Sequence, residues 1–130
     1  MNVGDTLPSF TAPTVTRDGL ARFASASGDD NPIHLDPAVA VAQGLDDVIA
    51  HGMLSMAYLG RLITSWVPQD RIRSLRAKFV GMTPVGAAPV CGGRVRAVEE
   101  IDGELRATIA LTVKLGDGTT TVRGEAVVAV

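Results

Sequence analysis

Two hydrophobic periods divide the chain. From Met53 to Val67, apolar residues (Met53, Leu54, Met56, Ala57, Tyr58, Leu59, Leu62, Ile63, Trp66) cover most of a helical circumference. A helix that is apolar nearly all round is expected to be buried rather than laid on a surface. Pro68 stops it, since proline cannot continue a helix without losing a hydrogen bond. Beyond Pro68 the period becomes two. Leu75, Ala77 and Phe79 alternate with Arg76, Lys78 and Val80. Leu105, Ala107, Ile109, Leu111, Val113 and Leu115 form a second alternating run, and Val122, Gly124, Ala126, Val128 and Val130 a third. Such alternation predicts strands with one apolar face. A further, less regular strand is expected around Val90 to Val98. Asp102-Gly103 and Gly116-Asp117-Gly118 are hairpin signals between these runs.

The first half predicts shorter elements. Thr6 to Val15, with Pro8 and Pro13, reads as an extended segment. Thr16 can cap a short helix carrying Leu20, Phe23 and Ala24, which Gly28 ends. Asp29 to Asp36 is rich in Asp, Asn and Pro and predicts a structured turn. Asp36-Pro37 predicts a helix start that runs to Gly44. One buried helix followed by an antiparallel sheet makes an α+β domain, and the 130 residues fit a single domain spanning 1–130.

Composition narrows the function. The net charge is −2, so nothing attracts nucleic acid or an anionic membrane over the whole surface. The apolar stretch Met53 to Val67 is interrupted by Arg61 and is too short to span a bilayer. The N-terminus lacks the pattern of a signal peptide. With one cysteine, Cys91, no intrachain disulfide is possible, and a reducing, cytoplasmic setting is expected.

The segment Ser27-Gly28-Asp29-Asp30-Asn31-Pro32-Ile33-His34-Leu35-Asp36 carries the candidate chemistry. Pro32 restricts both itself and Asn31, and Asn31 can bond its own backbone. The turn can thus hold the Asp29 carboxylate near the His34 imidazole. Histidine exchanges protons near neutral pH, and a neighbouring carboxylate can orient a water. On chemistry alone, a purely structural turn explains these residues as well.

The run G-D-D-N-P-I-H-L-D resembles the hydratase signature of the MaoC-like family, the (R)-specific enoyl-CoA hydratases, with Phe23 at the signature's aromatic position. Ala50-His51-Gly52-Met53-Leu54 resembles that family's start of the central helix, and F-V-G-M-T-P at Phe79 to Pro84 its following strand. Within the family, Ile63-Thr64-Ser65-Trp66-Val67 suggests the catalytic subunit of the (3R)-hydroxyacyl-carrier-protein dehydratases of the mycolic-acid pathway. The resemblance implies a hot-dog fold, a long helix wrapped by an antiparallel sheet. It implies that this chain hydrates trans-2-enoyl thioesters or dehydrates (3R)-hydroxyacyl thioesters, carried on coenzyme A or acyl carrier protein.

It also implies roles. Asp29 and His34 match the catalytic pair, and the Gly52 N–H the donor to the thioester oxygen; Gly52 equally permits close packing. Asn31 matches the family asparagine of the substrate site and fits turn support better than reaction. Arg76 and Lys78, in the basic run with Arg71 and Arg73, can meet phosphates of coenzyme A or an acidic carrier, or form a solvated strand face. His51 fits a structural role. A serine of some relatives corresponds to Ala57 here, with Ser55 nearby. His34, Asp36 and His51 match no zinc spacing, and the resemblance implies neither metal nor cofactor. It implies a homodimer, or a heterodimer with another hot-dog subunit. The alternatives are a hot-dog thioesterase, which uses a carboxylate on the helix, and a non-catalytic acyl-binding subunit.

Overall fold

A computed structural model describes residues 1–130. The order is β1 (Phe10–Thr11), α1 (Arg17–Ser27), α2 (Pro37–Ala42), α3 (Gly52–Thr64), β2 (Ile72–Phe79), β3 (Val90–Ile101), β4 (Glu104–Lys114) and β5 (Thr120–Ala129). One five-stranded antiparallel sheet has the order β1-β3-β4-β5-β2. This is the expected α+β hot-dog arrangement. The N-terminal segment lies along β3, through a Thr6–Arg94 bridge and the pairs Phe10–Cys91 and Thr11–Val90. That covers one edge of the sheet and leaves β2 as the other.

The core forms where α3 meets the concave face. Leu59, Leu62 and Ile63 bury against Val95, Ile109, Leu111, Val113, Val122, Ala126 and Val128. A smaller cluster of Val15, Leu20, Ala40, Val48 and Ala50 holds the two short helices. Gly124 lets β2 approach β5: a Cβ there would stand 2.7 Å from the Arg76 carbonyl oxygen. The 102–103 turn has both residues left-handed (φ 53° and 75°), as a type I′ hairpin requires.

The structure differs from the sequence expectations in three places and gives the reason for a fourth feature, the irregular pattern of β3. Helix α3 ends at Thr64, with Ser65 as its C-cap, and is not buried all round: Met53 is 54% exposed and Ala57 is exposed. Its buried face meets the sheet, and Leu54 near its start packs against the second cluster, formed by Val15, Leu20, Ala40, Val48 and Ala50. Helix α2 stops at Ala42, with Gly44 left-handed beyond it. Leu105 and Val130, expected on the apolar face, are exposed; they bond each other's backbone at the end of the sheet, outside the core cluster. The irregular pattern of β3 comes from a register shift between Val95 and Ala97. The extra residue moves the inward positions from Cys91 and Val95 to Val98.

Candidate active site

The 29–36 turn is built by its own side chains. Gly28 ends α1 in the left-handed conformation (φ 78°), and its N–H bonds the Ala24 carbonyl. The Asp29 carboxylate accepts the Asn31 N–H at 3.3 Å, and Asn31 Oδ1 accepts the Ile33 N–H at 3.1 Å. A short 3-10 turn, Pro32–His34, follows. Asp36 caps α2 by accepting the Ala38 N–H at 2.9 Å. Asn31 therefore contributes its Oδ1 to the turn that presents His34.

This folding places Asp29 Oδ2 3.9 Å from His34 Nε2. Asp29 is half-exposed, whereas the His34 side chain keeps only 12% of its exposure. His34 Nδ1 lies 2.8 Å from the Ile49 carbonyl oxygen. A carbonyl only accepts, so Nδ1 carries the proton and neutral His34 keeps its Nε2 lone pair on the Asp29 side. At 3.9 Å the pair is near but not hydrogen-bonded, which leaves scope for closer approach when a substrate or water binds.

His51, the N-cap residue of α3, is 1% exposed. Its ring stacks on His34 with centroids 3.9 Å apart, and Phe23 packs against it at 4.8 Å. Its Nε2 lies 3.0 Å from the Asp29 carbonyl oxygen. Asp29, His34 and His51 offer donor atoms within 4.8 Å of one another. One nitrogen of each ring is committed to a backbone carbonyl, His34 Nδ1 to Ile49 and His51 Nε2 to Asp29.

His34 borders a cavity of about 210 Å³ shared with Ile49, Ala50, Gly52, Ser55, Phe79, Met82 and Thr83. A larger groove of about 680 Å³ beside Met1, Asp5 and Trp66 shares no residue with it and contains no proton-transfer pair. Gly52 opens α3, so its N–H has no acceptor within the helix. The Phe79 ring lies over it: a Cβ on Gly52 would stand 3.2 Å from that ring. Gly52 thus permits close packing under Phe79 and lines the cavity, with its N–H unpaired within the helix.

Sequence reasoning gave no site role to two groups that the structure places beside His34. Ser55 is 3% exposed and lines the cavity, while Ala57, the position expected to matter, is exposed. Its one-turn spacing from Gly52 was the available signal. The Ile49 carbonyl, which fixes the His34 tautomer, carries no signal in sequence, because any residue supplies a carbonyl.

The basic run is mostly paired. Arg73 holds Glu104 through two 2.8 Å bonds, and Arg106 joins the same carboxylate. These two guanidinium groups, Arg73 foremost, pull the Glu104 carboxyl down to about 2. Arg76 bonds Glu125 at 2.6 Å, and Arg96 bonds the same carboxylate. Arg76, followed by Arg96, accordingly holds Glu125 below the usual carboxylate range, against partial burial. Lys78 makes no ion pair and faces Arg123, also unpaired, in strand register. Neither cation borders the cavity.

The profile of the MaoC like domain matches residues 2–116. The chain is 30% identical over 109 residues to the (R)-specific enoyl-CoA hydratase of Aeromonas caviae, covering 84% of this chain and 81% of that protein. It is 29% identical over 109 residues to the 3-hydroxyacyl-thioester dehydratase Z of Mycobacterium tuberculosis (78% and 72% covered). It matches fatty acid synthase subunit beta of Gibberella zeae at 36% over 90 residues, and spans only 4% of that protein's length. The solved (R)-hydratase of A. caviae superposes with a TM-score of 0.86 at 28% identity, over 98% of this chain and 96% of that one. The C-terminally truncated HadBC (3R-hydroxyacyl-ACP dehydratase) complex of M. tuberculosis, at 17% identity and a TM-score of 0.73, shares the fold. No helix of the protein is long and apolar enough to cross a membrane.

Proposed function

Because this chain belongs to the MaoC-like domain family, we propose that it is a lyase that adds water across the double bond of trans-2-enoyl thioesters, or removes it from (3R)-hydroxyacyl thioesters. The observation that carries this reading is the arrangement of His34. Its Nδ1 is tied to the Ile49 carbonyl, its Nε2 stands on the Asp29 side, and its ring borders the cavity that Gly52 shares. In hydration, the water oxygen bonds C3 as the C2–C3 π pair moves to C2, and the Asp29–His34 pair takes one proton from the water and delivers one to C2. The pair acts as a coupled unit. Negative charge builds on the thioester oxygen as C3 is attacked. The free N–H of Gly52 and the start of α3 are suited to hold it, and a lost donor of this kind costs about 10²–10³ in rate. Dehydration runs the same steps backward.

The thioesterase alternative needs a carboxylate on the central helix, and α3 (GMLSMAYLGRLIT) has none. A non-catalytic acyl-binding subunit has no need of an aligned Asp29–His34 pair.

The cavity of about 210 Å³ is smaller than the roughly 300–1,000 Å³ usual for small-molecule sites. Its rim residues Phe79 and Met82, with Val80 and Met53 nearby in sequence, are exposed. A second hot-dog chain, identical or related, paired along the free edge of β2 would cover these residues and lengthen the cavity into an acyl tunnel. The unpaired Lys78 and Arg123 are the cations best placed to meet the phosphates of coenzyme A or an acidic carrier, with Arg76 committed to Glu125. A single buried thiol, Cys91, pushed up to about 11 by burial, suits a reducing cytoplasm.

The test is loss of enoyl absorbance when the purified protein meets a short trans-2-enoyl-CoA, with chiral analysis of the product. Formation of (3R)-hydroxyacyl-CoA is expected. Release of free thiol without hydration overturns the lyase reading in favour of the thioesterase.

A further inference from the structure

His51 touches both members of the candidate pair. Its Nε2 is 3.0 Å from the Asp29 carbonyl oxygen, and its ring lies on His34 at 3.9 Å and 25° from parallel. The carbonyl can only accept, so the Nε2–H donates and His51 Nδ1 is bare when the ring is neutral. That Nδ1 is buried without a hydrogen-bond partner. Charging the ring would place a second N–H at Nδ1, again without an acceptor, and a cation against the His34 ring. Both are costly away from water.

We propose that His51 is a positioning residue: as a permanently neutral Nε2–H imidazole, it ties the Asp29 main chain and supplies the flat platform on which His34 lies. This rests on Asp29 and His34 acting as proposed above. Asp29 and His34 sit on opposite sides of the turn and share no direct hydrogen bond, so their separation is set by what each is anchored to. His34 has two anchors, the Ile49 carbonyl at Nδ1 and the His51 ring at its face. Asp29 receives one from His51 through its carbonyl. His51 is therefore the one side chain that fixes the two relative to each other. Phe23 of α1, uncharged, closes its remaining side. The ionisable groups facing it are Asp29 and His34 on the turn. Burial pushes the His51 imidazole below its ordinary value, opposed by the Asp29 carbonyl and reinforced by His34, in keeping with a ring that stays neutral.

A neutral platform also serves the chemistry. His34 must take up a proton during each turnover, and a charged neighbour in face-to-face contact would oppose that step. A histidine at position 51 gives the flatness of an aromatic ring and one N–H at its edge. Phenylalanine supplies only the first, and glutamine only the second.

The chain has two histidines, which makes the test direct. Imidazole ¹⁵N NMR between about pH 5.5 and 8, the range in which an ordinary histidine titrates, should show His51 as a ring with a constant Nε2–H signal. The variants His51→Phe and His51→Gln identify the signals. Titration of His51 in this range overturns the proposal, whether or not the protein turns over an enoyl thioester. Kinetics then test positioning. His51→Phe should lower kcat by about 10–100-fold with KM changed less than about threefold, the size expected when reacting groups lose alignment. His51→Gln, whose amide can still donate to the Asp29 carbonyl, should recover about fivefold or more of that loss. Folded His51→Phe with wild-type kcat, or His51→Gln no faster than His51→Phe, removes the positioning role. A wild-type protein with no enoyl turnover instead removes the lyase reading, and the NMR result still decides the state of His51.

Discussion

His34 and His51 lie face to face, ring centroids 3.9 Å apart, one on a turn after α1 and the other at the start of α3. Their hydrogen bonds run in opposite senses through the fold. His34 donates from Nδ1 to Ile49, and His51 donates from Nε2 to Asp29. The two bonds stitch the turn to the segment that leads into the central helix, so the same contacts that hold the site together also join two parts of the core.

Asp29→Asn and His34→Ala should each lower kcat by about 10²–10⁴, the usual contribution of a positioned general acid or base. Asp29 is half-exposed, so Asp29→Asn should melt close to the wild type, whereas His34→Ala loses the Ile49 bond and the His51 contact and should melt lower while still folding. Steady-state rates and a thermal melt on the same samples check this. Near-normal turnover by either folded variant would take that residue out of the mechanism.

Gly52→Ala keeps the backbone N–H but pushes a methyl against the Phe79 ring, 3.2 Å from the new Cβ. Its kcat should fall because the ring over the cavity moves, and the double variant Gly52→Ala with Phe79→Leu should be faster than Gly52→Ala alone. Equal rates in the two variants would show that the loss does not pass through Phe79.

Arg76 is bound to Glu125, whereas Lys78 and Arg123 face each other without an acid. Reversing Lys78 to Glu should raise KM for carrier-linked or coenzyme A-linked substrate several-fold, more so at low salt, and should leave kcat little changed. Arg76→Glu should chiefly cost stability, since it sets two carboxylates side by side. KM for a truncated thioester lacking phosphates is the control. A Lys78→Glu protein with unaltered KM would return this face to plain solvent exposure.

Glu104 supplies a pH signature. Arg73, then Arg106, lowers its carboxyl from 4.5 in the free state to about 2. A group whose folded value is depressed stabilises the fold fully above its unfolded value and loses that stabilisation as pH falls through the folded one. The difference in melting temperature between wild type and Glu104→Gln should therefore be steady at neutral pH, shrink below about 4.5 and vanish near 2, where the protein remains folded enough to melt. A difference that persists unchanged at pH 2 would assign the effect to something other than charge.

Gly124→Ala should destabilise the domain by about 1–3 kcal/mol, the range for overpacking a tight site. The added Cβ would meet the Arg76 carbonyl at 2.7 Å, and backbone cannot swing aside as a side chain can. Chemical denaturation measures it. A variant as stable as the wild type would mean that β2 yields easily along β5.

Much of this protein was legible in its sequence, because local rules are written in residue types. Thr16, Gly28, Asp36 and Pro37 announced helix ends by capping chemistry, and Asp102-Gly103 announced a hairpin because both positions need left-handed backbone. The alternation in β4 and β5 gave the apolar face directly. The Asp29 to His34 spacing pointed to the turn, since Pro32 and Asn31 restrict the intervening chain. Other features depend on which distant segments meet. The register shift in β3 follows from pairing with β4, and the exposure of Met53, Phe79 and Met82 from how far one sheet reaches around one helix. Arg76 looked free until Glu125 and Arg96 came alongside it on neighbouring strands. The His34 tautomer is set by the Ile49 carbonyl, and the Asp29 anchor by His51. Both are contacts between segments that the sequence holds apart, and tertiary packing alone brings them within hydrogen-bonding distance.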